Sequence, residues 1–271
     1  PAHGYRTTVR LAVRDDGRVG FRAESSHRVV AVDHCLVANP ALSALLGGIT
    51  VDGATELQLR YSRHTGEITA LPLDQRGRPA RARVRGLPAG AAVGAESALT
   101  ERVAGIDLRV SASSFFQSGP DAAELLVSSV RGVLGETEGP FLDAYGGVGL
   151  FGATVGGTQV VLVEESPSSC ADAAVNLPDA TVVRGRFEHW TPSPVSVAVA
   201  DPARSGLGAD AAAVLVAARA RRLVLVSCDP VAMARDTAAL VAHGLRHESS
   251  TVLDLFPHTP HVEVVTAFSA G

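Results

Sequence analysis

Pro140-Phe141-Leu142-Asp143-Ala144-Tyr145-Gly146-Gly147-Val148-Gly149 is the stretch on which the reading of the fold turns. It begins as a buried strand, reaches an acid, and runs into a glycine turn that introduces a helix. Glycine at such a junction lets the backbone approach a ligand closely. The pattern alone is common among α/β proteins. It gains weight from Val163-Glu164, a second acid at the end of the next apolar run, roughly 20 residues on, where a carboxylate can accept hydrogen bonds from ribose hydroxyls. Glu165 is the neighbouring alternative.

Toward the C-terminus, short apolar runs at 159–164, 180–183, 195–200 and 222–226 alternate with helical patterns, the rhythm of a doubly wound α/β sheet. A helix is expected over 121–134. The tail, 250–255 and 261–268, reads as two strands around a proline-containing turn, an antiparallel hairpin. Toward the N-terminus the texture is mainly β. Strands are expected at 5–13 and from Val19, with Asp15-Asp16-Gly17 as the turn between them, and at 29–32, 56–61, 67–71 and 80–84. One short helix is expected at 40–46 and a loop at 86–94. The chain is therefore divided into a mainly β domain, 1–110, and an α/β domain, 111–271.

Composition sets the outer limits. The 271 residues are 46% hydrophobic, and no apolar stretch is long enough to span a bilayer. The three cysteines make no disulfide framework and fit a reducing cytoplasm. All 24 basic residues are arginine, yet the formal net charge is −4. Nucleic-acid binding therefore needs a local patch. The run Arg76, Arg78, Arg81, Arg83 and Arg85 is such a patch, or else a solvated strand and turn. The chain opens on Pro1, not methionine, and so reads as a piece of a longer protein.

Two cofactor classes compete at the glycine turn. Gly147-Val148-Gly149-Leu150-Phe151-Gly152 satisfies the G-x-G-x-x-G pattern of a dinucleotide site. Against that, the Asp143 carboxylate would repel a pyrophosphate and suits a cationic, amino-acid-bearing cofactor, S-adenosylmethionine. Two further strand ends carry chemistry. Asp201-Pro202-Ala203-Arg204 follows one, with a bland reading as a turn. Val224-Leu225-Val226-Ser227-Cys228-Asp229-Pro230 is the other. A lone cysteine in an apolar run is ordinarily inert packing, but Cys228 at a strand end, stopped by Asp-Pro, is a candidate nucleophile on the ligand-binding edge of the sheet. Cys170 keeps the packing reading. Glu263, in the terminal hairpin, can bring a carboxylate back beside the thiol. His258, His261 and Cys228 lack the spacing of a metal site, and no metal is expected.

Taken in order, Ser114-Phe115-Phe116-Gln117, Asp143 to Gly149, Val163-Glu164, Asp201 to Arg204, Ser227 to Pro230 and Asp254 to Glu263 resemble the RNA 5-methyluridine methyltransferases, which methylate uracil C5 in tRNA or 23S rRNA. The resemblance is close over 111–269 and looser in the β region. It implies a Rossmann-like class I S-adenosylmethionine-dependent methyltransferase domain beside a smaller β domain. It implies Cys228 as the nucleophile that adds to uracil C6 and Glu263 as the base that removes the C5 proton, acting on a flipped-out base. Gln117, Asp143, Tyr145, Gly147, Gly149, Glu164 and Asp201 are implied as cofactor contacts, and Arg204, His261 and Phe116 as substrate contacts. The implied partner is RNA, with no membrane and a monomer favoured.

The chain departs from the family pattern at Asp229, where Asn is usual, at Leu150, where many members place a cofactor-contacting Asn, and at Arg186, which often is Asn or Asp. The N-terminal RNA-binding barrel common in the family (the TRAM domain) is not visible in this sequence. Some members hold an iron–sulfur cluster through three upstream cysteines and one matching Cys35, so Cys35 is expected to be a ligand only in a longer parent chain. An RNA-binding or RNA-folding protein with weak catalysis is the alternative from another class. A dinucleotide oxidoreductase is a third, and it leaves Cys228 and Glu263 without a role.

Overall fold

The computed structural model describes residues 2–136, 138–157 and 159–271. Contacts divide the chain into two compact units. The first comprises Pro1–Arg102 and Arg109–Asp121, and the second Val103–Leu108 and Ala122–Gly271. Against the division expected between 110 and 111, 103–108 joins the second unit and 111–121 the first.

In the first unit, β1 (Thr8–Val13), β2 (Val19–Arg22) and β3 (Val29–Ala31) precede a single-turn helix α1 (Pro40–Ser43). Next come β4 (Thr50–Asp52), β5 (Glu56–Tyr61), β6 (Ile68–Leu73), β7 (Arg83–Arg85) and β8 (Ala92–Val93). Six strands form one sheet in the order β3-β2-β1-β5-β6-β8, and β4 pairs with β7. Alternation explains β1 and β5: Val9, Leu11, Leu57 and Leu59 point to one buried core with Leu42, Leu46 and Ile49. The helix expected over 40–46 is interrupted. Asn39 caps α1 by accepting from the Ala41 N–H at 2.9 Å, but Gly47-Gly48 gives only a 3-10 turn, Leu46–Gly48. The loop expected at 86–94 contains the two-residue strand β8, parallel to β6. β9 (Ala98–Val103) and β10 (Ile106–Ser111) form a hairpin that sequence reading did not mark as strands.

The second unit contains α2 (Pro120–Leu134) from Ala122 onward, then β11 (Pro140–Ala144), α3 (Leu150–Thr154), β12 (Gln159–Glu164), α4 (Pro167–Asn176) and β13 (Thr181–Arg184). It continues with β14 (Val197–Ala200), α5 (Gly208–Ala217), β15 (Arg222–Ser227), α6 (Pro230–Ala242), β16 (Leu245–Leu253) and β17 (Glu263–Ala270). Seven strands lie in the order β13-β12-β11-β14-β15-β17-β16. The first five are parallel, and β17 runs antiparallel to both β15 and β16. Parallel strands covered on both faces need continuous apolar runs, and all four residues of β14 are buried. Leu142, Ala198, Leu225 and Phe268 pack with Leu215 and Leu240 of α5 and α6 in one core, each large side chain contributing about 1.5–3 kcal/mol by leaving water. The terminal hairpin is present, but β16 starts at Leu245, five residues before the expected 250. Arg246 to Val252 are exposed, so no apolar alternation marks that part of the strand in the sequence.

Strand order reverses at β11, with β12 and β13 on one side and β14 and β15 on the other. In open α/β sheets ligands bind outside the carboxyl ends of the strands at such a switch point. Asp143-Ala144-Tyr145 and Asp201 flank this one, where the Asp201 N–H donates to the Ala144 carbonyl at 3.2 Å.

Candidate active site

The glycine turn is shaped from within. Asp143 has no solvent exposure, and its Oδ2 accepts the Gly152 N–H at 2.7 Å, tying strand β11 to helix α3. Its Oδ1 is buried without a hydrogen-bond partner. Burial pushes the Asp143 carboxyl up to about 8; the Gly152 hydrogen bond opposes this, and Asp201 and Glu164 add to it. Gly147 and Gly149 hold φ of +55° and +91°, the left-handed region that costs a side-chain-bearing residue roughly 1–2 kcal/mol. A Cβ at Gly149 would stand 2.7 Å from Leu177, whereas one at Gly147 would meet nothing within 4 Å. Gly147 is therefore the point where the loop backbone lies open to a ligand. Glu164, ending β12, accepts from the Gly147 N–H at 3.0 Å and from the Ser166 N–H at 2.7 Å. Each of its oxygens keeps a second lone pair for a hydroxyl donor.

Tyr145 adopts φ +61°, uncommon for a non-glycine residue. Its ring sits 5.2 Å from Phe187, which in turn lies 5.9 Å from Trp190. Burial first, then Glu188 and Asp236, raise its hydroxyl pKa. Arg186 forms an ion pair with Glu188. Leu150 is buried in the first turn of α3 and adds packing where an Asn would offer an amide.

Cys228 follows the last residue of β15, half-buried and with a free thiol. Ser227 pairs with Val264 on β17, the last pair between the two strands, so Cys228 and Glu263 each lie one residue past it, near enough for the Glu263 charge to act on the thiol. Burial raises the Cys228 thiol, with Glu263 and Asp201 adding and Arg204 opposing. Glu263 is buried and pushed up to about 8 by burial and by Asp201. Asp201 itself is raised to about 7 by desolvation. Three carboxyls and a thiol are thus held toward their neutral forms at one sheet edge. A cation bound here would draw these groups toward their ionised forms, so the cluster suits a cationic ligand better than a pyrophosphate. The open backbone at Gly147, the orphaned Oδ1 of Asp143 and this acidic edge all fit S-adenosylmethionine, whose sulfonium is positive.

Asp229 now has a structural explanation. Its Oδ1 accepts the N–H groups of Val231 and Ala232, both at 3.0 Å, and caps α6 with Pro230 in the first turn. Its Oδ2 lies 3.5 Å from Nε of Arg204, an exposed side chain. The cap requires only a short side-chain oxygen, which Asp or Asn supplies; the charge adds the ion pair. The cap hydrogen bond from Ala232 is also the main reason the Asp229 carboxyl is held below the usual range.

Two residues escaped the sequence reading. Asp236 of α6 is buried and accepts the Leu207 N–H at 2.7 Å and the Gly208 N–H at 3.3 Å, and Arg235 donates to the Ser205 carbonyl. Together they hold the loop that begins at Asp201 and carries Arg204. The signal was an acid two helical turns after the Asp229 cap, in a helix made mostly of apolar residues. His261 is half-buried in the turn before β17, its N–H donating to Thr259 Oγ1 at 3.3 Å.

Phe116 and Gln117 belong to the segment Arg109–Asp121 of the first unit, and both are buried. Buried Arg60 fixes that segment by donating to the carbonyls of Ser111 at 2.7 Å and Ser114 at 2.8 Å. Cys35, also in the first unit, is half-buried against its core, with its N–H donating to Ser43 Oγ at 2.8 Å. Among the described residues no three His, Cys, Asp or Glu are grouped as a metal ion requires, and no helix is long and apolar enough to cross a membrane.

Several known proteins are similar to this chain. An uncharacterized RNA methyltransferase of Streptomyces coelicolor is 33% identical over 96% of this chain and 62% of its own length. Another, of Corynebacterium efficiens, is 31% identical over 99% of this chain and 67% of its own length. The 23S rRNA (uracil(1939)-C(5))-methyltransferase RlmD of Pseudomonas entomophila is 29% identical, covering 100% of this chain and 69% of that protein. The chain thus spans about two thirds of the length of these relatives. Among solved structures, the Pyrococcus abyssi tRNA (uracil-54, C5)-methyltransferase in complex with S-adenosyl-L-homocysteine superposes with a TM-score of 0.77. It is 23% identical and aligns with 99% of this chain and 76% of its own, so the fold is that of the Rossmann-like class I methyltransferases. No family model matches the chain.

Proposed function

The chain belongs to the RNA 5-methyluridine methyltransferase family, and on that premise we propose that the protein methylates C5 of a uracil in tRNA or 23S rRNA, using S-adenosylmethionine. The observation that carries this reading is the closeness of Cys228 and Glu263, each one residue past the last pair of β15 and β17, with Asp201 acting on both. Uracil C5 is a poor nucleophile. A thiolate that adds to C6 forms a C–S bond and pushes the C5–C6 electron pair toward C5 and the O4 carbonyl, making C5 nucleophilic.

Cys228 supplies that thiolate after its proton passes to solvent. Its population rises when a cation offsets the field of Asp201 and Glu263. When bound, S-adenosylmethionine would supply the electrophilic methyl group that C5 takes up, its sulfonium sulfur leaving as the neutral thioether of S-adenosylhomocysteine. Glu263 then accepts the C5 proton, the C5–C6 double bond re-forms, and the C–S bond breaks to return Cys228. Glu164 and the open backbone at Gly147 hold the cofactor's ribose and amino-acid ends, with Tyr145 and Asp201 as further contacts. Asp143 and Gly149 act through the loop they shape. Arg204 and His261 hold the RNA. The target base leaves its stack to reach the thiol, and a reducing cytoplasm suits a free thiol nucleophile.

The test uses RNA in which uridine is replaced by 5-fluorouridine, together with S-adenosylmethionine and the full-length protein. C5 then carries fluorine where the base needs a proton, so elimination stops and a protein–RNA adduct accumulates. A denaturant-stable adduct that is absent from Cys228→Ala supports the reading. No adduct from intact protein, or one that survives Cys228→Ala, overturns it and favours an RNA-binding protein with lost catalysis.

A further inference from the structure

Arg81, Arg83 and Arg85 alternate along and just ahead of β7, in a chain of formal net charge −4. β7 pairs antiparallel with β4, with Thr50 opposite Arg85, Val51 opposite Val84 and Asp52 opposite Arg83. Ala82 and Val84 pack against the core of the first unit. Because successive side chains on a strand point to opposite faces, Arg83 and Arg85 share the outer face of β7; Arg81, two residues before the strand, continues the same alternation of exposed and half-buried residues, and all three arginines are exposed.

Their charges stand apart from those of their neighbours. Six other arginines of this unit meet carboxylates: Arg10 and Arg22 share Glu56, Arg14 pairs with Asp16, Arg18 with Asp33, Arg63 with Asp121, and Arg78 with Asp74. Among the described residues, Arg81, Arg83 and Arg85 form no such ion pair, and neither does nearby Arg76. Asp52 is the acid set across from this row, and it does not form an ion pair with Arg83. Alternate residues on a strand lie about 6.6–6.8 Å apart, a spacing comparable to that of successive phosphates on an extended RNA strand. Each guanidinium offers paired donors that match phosphate oxygens.

We propose that the outer face of β7 is an RNA-backbone-binding surface on which Arg81, Arg83 and Arg85 each take one phosphate. That the polyanion is RNA rests on the function proposed above. Charged residues on a short edge strand also discourage pairing with other chains, and that role alone makes a different prediction, because RNA affinity and its salt slope would then not change when these arginines are replaced.

The experiment measures binding of a short uridine-containing single-stranded RNA by the full chain between about 50 and 200 mM salt. The variant carries Arg81→Gln, Arg83→Gln and Arg85→Gln; a second carries Lys at the same three positions. Losing three phosphate contacts should make the log–log salt slope less negative by about 2 and weaken binding on the order of tenfold at the lower salt. The Lys variant should keep most of the slope. An unchanged slope and affinity in the Gln variant overturns the surface, as does a loss of binding to phosphatidylserine vesicles while RNA binding stays intact. Should the Gln variant fail to fold, by circular dichroism and melting, Arg83→Gln and Arg85→Gln singly should each change the slope by about 0.7. Fluorouridine adduct formation at saturating RNA separates the two readings. An adduct with an unchanged slope removes only the surface, and a changed slope without an adduct removes only the catalytic assignment.

Discussion

Cys228 and Glu263 stand one residue beyond Ser227 and Val264, the last antiparallel pair between β15 and β17, so the sheet itself sets a thiol against a buried carboxyl. Parallel strands alone would not do this. The reversed strand β17 starts at the edge where β15 stops, and that brings residues from opposite ends of their strands together. Removing the carboxylate should therefore separate two steps. Glu263→Gln keeps a side chain of the same size and leaves thiol addition possible, but it removes the acceptor for the C5 proton. With ordinary uridine RNA and S-adenosylmethionine, turnover should fall by about 10²–10⁴-fold, and a methylated covalent complex should accumulate on denaturing gels. Release of free product at the parent rate would remove Glu263 from the role of base.

The acids around the thiol give the reaction a pH signature. Glu263 is pushed up to about 8 and Asp201 to about 7, and the Cys228 thiol is raised by burial and by both of them. The proposed chemistry needs the ionised base and the thiolate, so single-turnover methylation should rise from pH 6.5 to pH 9. Stability should run the opposite way. These carboxyls bind protons more tightly folded than unfolded, so from about pH 4 to pH 8 the folded state holds protons the unfolded state has lost, and stability declines as pH rises. Melting temperature should thus be higher at pH 5.5 than at pH 8.5. A rate that is flat or falls over the same alkaline range would contradict the assignment of Glu263.

The parallel core and the strand-end acids were legible because they depend on local pattern. Continuous apolar runs such as 222–226 mark strands covered on both faces, and the residue that ends each run lies at the ligand edge whatever the helices do. Asp201, Cys228 and Glu164 could be placed in that way. Asp236 could not, because its purpose rests on the backbone of Leu207 and Gly208, far along the chain and joined only by packing of α6. The first half of β16 was missed for a related reason: with Arg246 to Val252 exposed, its pairing with β17 leaves no hydrophobic trace. Asp229 looked like a departure in the catalytic motif because the sequence shows only its identity. The structure shows that the position asks for a helix-capping oxygen.

The loop between Asp201 and Gly208 should be rigid for a reason that can be tested at two points. Gly206 has φ +77°, and a Cβ there would lie 2.2 Å from Oδ2 of Asp236. Asp236 accepts two backbone N–H groups in a buried setting, and hydrogen bonds to a charged group contribute about 1.5–3 kcal/mol. Asp236→Ala should lower stability by roughly 2–3 kcal/mol in denaturant titrations, and Gly206→Ala should destabilise as well through clash and strain. Asp236→Asn retains an acceptor oxygen and should lose less. Equal melting curves for the parent and Asp236→Ala would mean that α6 does not hold the loop.

Gly147 and Gly149 stand two residues apart, and their substitutions should have opposite consequences. Both lie at positive φ, so an alanine at either costs roughly 1–2 kcal/mol of backbone strain. At Gly149 the added methyl also meets Leu177 at 2.7 Å, inside the packed side of the turn. At Gly147 it meets no protein atom within 4 Å, and under the proposed function it would crowd the cofactor. Gly149→Ala should therefore lower the melting temperature more. Gly147→Ala should stay folded but bind S-adenosylhomocysteine, the demethylated cofactor, at least about tenfold more weakly by calorimetry, a loss of about 1.4 kcal/mol. If Gly147→Ala binds as tightly as the parent, the cofactor does not approach the backbone at this residue, and the open face of the turn has another use.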